Sequence, residues 1–465
     1  MFEEKFRCTY DLLSSIPSAD DPGRSVTEDT FEPHEQFPWD DASRLIDAEG
    51  KIVDTHSMGF TERDRLELVK CLATPERALD GKRITDCFSA GFFTTEFWYM
   101  WCTTFAFEPW HSAIEFRRYL NRFVPLFPTF DTMSGIHRTR YNQYDSIVRP
   151  LAEWLGGQGV TIHTGCQVYD LEFAPGEQAR VRSVLYIDTS RGQDARIDLA
   201  AGDLVFVTNG SMTANSTLGS NTAAPVLDAS RTSGAWRLWE KLASGREDLG
   251  NPHAFDGNIP ESVWESFTVT TTDIAFPDLI RELSGRGTGR GGLMTFTDSS
   301  WLPTTVLNHQ PVYRDQPEDV AVWWGYGLYR DRVGDHVRKP MTECTGQEIL
   351  REVLGHLHVD TETTERILAT STVIPALMPY ITSQFLVREH GDRPQVVPPG
   401  SVNLAFIGQY AEVPDDVVFT VEYSVRTAWT AVAALLGLDK QPPPVYKGQH
   451  DPRVLLRALE TMHRR

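Results

Sequence analysis

The chain reads as an α/β protein of two or three domains. Three observations carry that reading. Short apolar runs of strand type, such as DLVFVTNGS and VNLAFIG, alternate with amphipathic stretches of helical period. The last of these strands (residues 402–408) ends in a glycine and a loop, after which Val421, Val425, Ala428, Val432 and Leu436 recur at helical spacing. That order aims a helix N-terminus at a phosphate. The length of 465 residues also exceeds a single core at about 150 residues per domain.

Six segments follow in order. Residues 1–60 open on helix-like spacing (Phe2, Phe6, Tyr10, Leu13) and run into a polar loop rich in Asp, Pro and Glu. Residues 61–155 read as helical, beginning with Leu66, Leu68, Val69 and Leu72 and continuing into FFTTEFWYMWCTTFAFEPWHSAIEFRRYLNRF. Aromatics at this density build large apolar walls suited to a long apolar ligand. A plain aromatic core explains the same density. Residues 156–220 turn to strands: VTIHTGCQVYDLEF and VRSVLYIDTS alternate as a hairpin, and DLVFVTNGS has the continuous apolar run of a buried parallel strand. Residues 221–400 mix strands (SFTVTTT, GGLMTFT, DVAVWWGYGLY) with helices such as GQEILREVLGHL, which predicts a substrate domain on a mixed sheet. Residues 401–440 hold the closing strand and helix, with a buried helix expected over 429–438.

Residues 441–465 form a basic amphipathic tail. Leu455, Leu459 and Met462 share one face, and Arg453, Arg457, Arg464 and Arg465 add positive charge. Such a helix lies in the interface of an anionic bilayer as a peripheral membrane contact, or packs on its own protein.

Charge excludes one class of partner. With 44 basic and 64 acidic residues the formal charge is −20, against the basic surface that nucleic acid requires. The six cysteines show neither Cys-x-x-Cys nor zinc spacing, so no metal site is expected, and they read as reduced, buried thiols of a cytoplasmic protein. The opening MFEEKFRCTYDLL lacks the basic and apolar regions of a signal peptide. Gly287-Thr-Gly289-Arg-Gly-Gly292 matches G-x-G-x-x-G in the wrong setting. A helical stretch precedes it and a strand follows, the reverse of the dinucleotide fingerprint, so it reads as a flexible loop.

Eight blocks, in order, carry a resemblance: CTYDLLSSIPS, FAFEPWHSAIEFRRY, RYNQYDSIVRPL, DLVFVTNGSMTANSTLGS, LMTFTDSSWLP, VRKPMTECTGQEIL, MPYITSQFLVREHGDRP and NLAFIGQYAEVPDDVVFTVEYSVRTA. Together they resemble the oleate hydratases, also called myosin-cross-reactive antigens. The resemblance implies a two-dinucleotide-binding flavin fold. It implies bound FAD and addition of water across the cis double bond of a free long-chain unsaturated fatty acid, as from oleate to hydroxystearate. It implies no net redox change, an organising flavin most effective when reduced, and often a homodimer. Residues 1–60, 156–220 and 401–440 would then belong to the FAD domain.

The family pattern begins earlier, with a strand, a G-x-G-x-x-G turn and an Arg-Gly-Gly-Arg-Glu stretch whose glutamate positions water. None of these has a counterpart here, so the first βαβ unit is expected to be missing: either the chain is a truncated relative, or its start lies upstream.

Residue by residue, the resemblance makes Tyr119 the proton donor. A phenol, with an ordinary pKa near 10, holds its proton at neutral pH. Phe116, Tyr119, Leu120 and Phe123 also share one helical face, which would make Tyr119 simple core. For the substrate carboxylate the family's Asn matches Asn308, while its Thr and His positions read Val306 and Val312; Thr305 and His309 lie nearby out of register. For FAD the positions are Val168, Thr208, Asn209, Gly210, Gly408, Glu412, Phe419 and Thr420. Two other readings stay open: a flavin oxidoreductase of the same fold, and a non-catalytic fatty acid or flavin binder, which the missing glutamate favours.

Overall fold

A computed structural model of the chain describes residues 2–36, 43–176, 179–285 and 293–464. Its framework is a seven-stranded mixed sheet. In spatial order the strands are Leu45–Ile46, Met294–Phe296, Pro303–Val306, Ala321–Gly327, Trp264–Thr271, Ser371–Met378 and Thr217–Leu218. The first pair is parallel and the others are antiparallel. Side chains alternate across the pleat. Trp264, Thr268, Val306, Trp324 and Tyr326 border a cavity on one face. On the other, Phe267, Val269, Trp323 and Val373 pack with helices Ala275–Ser284, Gly346–His356 and Thr361–Ala369. The second of these helices starts where Thr345 and Glu348 exchange capping bonds, and Ile349, Leu350, Val353 and Leu354 form its buried stripe.

Helices Glu96–Phe105 and Ala113–Phe123 belong to the apolar cluster on the cavity face. Phe97, Trp98, Trp101 and Phe116 are fully buried and interlock edge-on or tilted, with Trp101 and Phe116 centroids 5.8 Å apart. Phe105, Tyr119 and Phe123 reach the cavity. Part of the aromatic stretch is therefore core, and part lines the cavity.

A separate parallel pair joins Val205–Thr208 to Leu404–Ile407, in register from Val205↔Leu404 to Thr208↔Ile407. Helix Val421–Leu436 packs against it. A three-stranded antiparallel ribbon, Cys166–Phe173, Val181–Asp188 and Gln193–Asp198, contributes Leu171 and Val181 to the same cluster. The expected burial holds for Val207, but Phe206 is 38% exposed.

Several expectations need correction. The chain opens on a strand, Phe2–Glu3, paired with Ile136–His137, before helix Arg7–Leu13. The polar stretch after it carries helix Val26–Gln36, because Ser25 and Glu28 exchange capping bonds. The hairpin starts at Cys166, leaving Val160 and Ile162 in exposed irregular chain. In helix Glu62–Ala73, Leu68 and Cys71 are buried while Leu66 and Val69 face outward.

Helix Val421–Leu436 buries Glu422, Tyr423, Arg426, Thr427 and Ala431 rather than its valine stripe. Glu422 has a reason to be inside: its carboxylate accepts from the backbone N–H groups of Cys8 and Thr9, capping a helix that lacks a side-chain cap of its own. Leu436 and Leu438 are exposed, against the buried helix expected there. Tail helix Pro452–Met462 packs through Ala458, Thr461 and Met462 and turns Leu455, Leu456 and Leu459 outward. Cys166 is exposed, and all six thiols are free. The 287–292 glycine motif lies outside the described residues. Among the described residues no helix is long and apolar enough to cross a membrane.

Candidate active site

A cavity of about 1190 Å³ lies between the sheet face, the aromatic helices and the parallel pair. Sites for one drug-sized ligand run from about 300 to 1,000 Å³, so this one has room for a long chain beside a second group. Its walls are largely apolar. Trp264 and Tyr326 rings lie 4.6 Å apart and Trp324 and Tyr326 5.5 Å apart, with Phe105 and Phe123 stacked at 4.8 Å on the helical side.

The parallel pair contributes one polar patch: Thr208, Asn209, Gly210, Gly408, Phe419 and Thr420 all line the cavity. Thr208 ends its strand. Gly408 has φ +84° and its N–H donates to Thr427 Oγ1 at 2.9 Å. Gly210 has φ +60°, and a Cβ there would stand 2.8 Å from the rings of Trp236 and Tyr410. Thr420 caps helix Val421–Leu436 by accepting from the Tyr423 N–H. Asn209 is 1% exposed, and among the described residues neither its amide nitrogen nor its amide oxygen has a hydrogen-bond partner. A buried orphan of this kind costs about 1–3 kcal/mol, a cost that a polar ligand in the cavity would relieve. Val168 lines a second, more open depression that shares Thr208 with the cavity.

These features fit an elongated dinucleotide. The two glycines permit close backbone approach, the capped helix start offers N–H groups to a pyrophosphate, and Asn209 offers both a donor and an acceptor.

Glu412, expected with this group, is absent from the lining. Its carboxylate accepts from Arg118 Nη2 at 2.7 Å. Burial pushes its pKa up, but Arg118, Arg388 and Arg393 outweigh burial and leave it below the usual range. Arg388 and Arg393 also hold buried Glu115 at 2.5 and 2.6 Å, and against the pull of burial they bring its pKa down to about 2. This network ties the helix bearing Tyr119 to the segment that leads into the parallel pair.

Tyr119 lines the cavity and is 1% exposed. Edge contacts from Phe105 and Phe107, each at 5.0 Å, fix its ring, and its hydroxyl donates to the Val418 carbonyl. Burial first, then Glu115 and Asp416, raise its pKa well above the phenol range.

Asn308 and His309 also line the cavity, as do Val306 and Val312. Thr305 does not: it pairs with Gly325 between Thr304 and Val306, on the far side of the pleat. Sequence reasoning passed over Glu3, Arg138 and Gln143, which all line the cavity. Arg122 Nη2 donates to Glu3 Oε2 at 2.9 Å, and burial, opposed by Arg122, raises the Glu3 pKa. A visible signal was the run HRTRYNQ, rich in cations and amides next to an aromatic region.

Outside the cavity, Asp335, Glu352 and His356 could offer ligand atoms to a metal within 4.8 Å of one another. Both Glu352 oxygens, however, accept from backbone N–H groups of residues 335–337, so the cluster clamps a loop.

The sequence profile of the MCRA family matches residues 1–433. The chain is similar to an oleate hydratase of Streptococcus pyogenes serotype M49 (strain NZ131), 38% identical over 468 aligned residues that cover 98% of this chain and 79% of that protein. It is also similar to a linoleate hydratase of Lactiplantibacillus plantarum, 33% identical over 483 aligned residues that cover 97% of this chain and 84% of that protein.

Proposed function

The chain belongs to the MCRA family, and from that premise we propose that it is a hydro-lyase that adds water across a double bond of a free long-chain unsaturated fatty acid. FAD would sit over the parallel pair, held by Thr208, Asn209, Gly210, Gly408, Phe419 and Thr420, with Val168 beside its far portion. The observation that carries the reading is Tyr119: a fully buried phenol that keeps its proton and faces a largely apolar cavity, beside the polar patch of Thr208, Asn209 and Gly408.

Hydration needs a proton at one alkene carbon and water at the other. Tyr119 keeps its proton until the alkene draws it, and its hydroxyl must turn from the Val418 carbonyl toward the cavity to deliver it. Water then forms the new C–O bond and releases a proton, and Glu3 and Glu32 are carboxylates in the lining able to accept it. When bound, FAD supplies a flat ring system that organises the site. The aromatic walls align the acyl chain and exclude bulk water.

Supply of the substrate from a membrane agrees with the tail, where exposed Leu455, Leu456 and Leu459 stand beside exposed Arg453 and Arg457. The test is incubation of the protein with oleate, FAD and a reductant, followed by mass spectrometry. The expected product is a hydroxystearate, one water heavier than oleate. Oleate bound but recovered unchanged would leave a binder rather than an enzyme.

A further inference from the structure

Two buried carboxyl groups stand outside the cavity lining. Glu108 lies in the connection between helices Glu96–Phe105 and Ala113–Phe123. Glu265 lies on strand Trp264–Thr271, opposite Gly327 and Leu377. Among the described residues, neither oxygen of Glu265 nor Oε1 of Glu108 has a hydrogen-bond partner. An ionised carboxylate in a dry interior needs a paired cation or several donors.

One cation serves both groups. Arg330 is itself 2% exposed, and its Nη1 stands 3.7 Å from Glu108 Oε1. Among the described residues it is also the one cation acting on Glu265. Its charge is divided further, since Nη2 donates to the Pro260 carbonyl at 2.7 Å and lies 3.3 Å from the exposed Asp331. The other titratable neighbours add no positive charge. His111 Nδ1 accepts from the Glu108 N–H, which puts its ring proton on Nε2, 3.6 Å from Glu108 Oε2. Burial brings the His111 pKa down to about 3, so the ring is neutral. Glu261, on the helix Ile259–Ser262, is paired with Arg83 at 2.7 Å. Burial keeps the thiols of Cys102, beside Glu108, and Cys344, beside Glu265, protonated.

We propose that Glu108 and Glu265 hold at least one buried proton between them at neutral pH, and that its release in alkali loosens the support of the Tyr119 ring. The first half follows from the count of charges: two carboxyls face a single arginine that Asp331 also engages. Burial lifts Glu108 well above the carboxylate range despite Arg330, with Asp331 and Glu261 adding to the effect. Burial likewise pushes Glu265 up to about 8 against Arg330. The second half follows from the chain. Phe107 directly precedes Glu108, meets Tyr119 edge-on at 5.0 Å and stacks on Phe385 at 4.4 Å. A new charge at Glu108 or Glu265 must find water or move, and Phe107 is tied to that movement.

The sign is set by the direction of the shift. The folded-state pKa lies above the ordinary 4.5, so the stability tied to the proton is complete below 4.5 and is lost as pH rises through about 8. The experiment unfolds the full chain in urea across this range, comparing the wild type with Glu265→Gln. Glutamine keeps the shape of the un-ionised carboxyl and has no proton to release. The folding equilibrium constant of Glu265→Gln, relative to the wild type, should rise by up to about tenfold per pH unit between 4.5 and 8 and then stay level. A ratio that is constant or falls with pH overturns the proposal. Glu108→Gln should change in the same direction and decides the matter if Glu265→Gln does not fold.

The link to Tyr119 rests on the hydratase reading and is tested by oleate hydration with FAD over the same range. The wild type should lose turnover reversibly above a pH of about 8, and Glu265→Gln should keep several-fold more of its own. The same alkaline limb in both proteins overturns the link. A wild type that hydrates nothing at any pH refutes the hydratase reading, while the unfolding ratio still decides whether the proton is held.

Discussion

The cavity has two walls finished to different degrees. The seven-stranded sheet and the aromatic helices close on each other. Trp98, Trp101, Trp301 and Trp323 are fully buried, and both sheet faces are covered. The parallel pair holds two strands, leaves Phe206 partly exposed, and leaves Asn209 buried without partners. The first wall is stable by its own packing. The second carries Asn209, whose amide has no hydrogen-bond partner among the described residues. A polar ligand seated over the second wall would satisfy Asn209, whereas the first wall needs none.

Tyr119→Phe probes the finished wall with the largest expected effect. The ring supplies the packing and the hydroxyl supplies the proton, so hydration should fall about 10²–10⁴-fold. Stability should change by only about 1 kcal/mol, the worth of the bond to Val418. Unchanged turnover of oleate would remove Tyr119 from the chemistry.

Glu115→Gln probes the joint between the walls. It strips Arg388 and Arg393 of their buried partner, which should cost about 3–5 kcal/mol in urea unfolding. The Glu115 pKa is depressed to about 2 from an ordinary 4.5, so its stabilisation is present above 4.5 and is lost as pH falls toward 2. The wild type should therefore lose its advantage over the variant across that acid window. A gap between the two that is constant with pH would break the assignment.

Asn209→Leu probes the unfinished wall directly. Without flavin it should be neutral or stabilising by about 1 kcal/mol, since it removes an orphaned polar group. With FAD in excess the wild type should gain about 2.7 kcal/mol at a hundredfold the dissociation constant. The variant should gain much less. Equal thermal shifts on adding FAD would show that Asn209 serves something else.

Deletion of residues 451–465 should have the smallest effect on the site. It removes the buried Ala458 and Met462, for a modest fall in melting temperature, together with the exposed Leu455, Leu456 and Leu459. Sedimentation with anionic liposomes should fall with it. Equal pelleting by intact and deleted protein would make the tail purely structural.

Periodicity made the mixed sheet, the aromatic helices and the final strand–helix unit legible before any coordinates. It misjudged which face was buried where charge decided. On helix Val421–Leu436 the buried face follows Glu422 and Arg426, whose partners, Thr9 and Asp416, come from elsewhere in the chain. The resemblance carried Asn308 and Tyr119 into the cavity: Tyr119 sits on helix Ala113–Phe123, whose pitch fixes its direction, and Asn308 follows directly after the strand Pro303–Val306. Thr305 and Glu412 failed to reach it for equally physical reasons: one residue of strand register turns Thr305 away, and Arg118 captures Glu412.

The central claim is hydration at a flavin-organised site without net oxidation. The direct measurement is turnover of oleate with FAD and a reductant in heavy-oxygen water, with mass analysis of the product. The account expects one heavy oxygen in a hydroxystearate, retention of all the substrate's hydrogens, and no reductant consumed per turnover. A product without solvent oxygen, or one formed with stoichiometric consumption of reductant or dioxygen, would contradict it and indicate a flavin oxidoreductase.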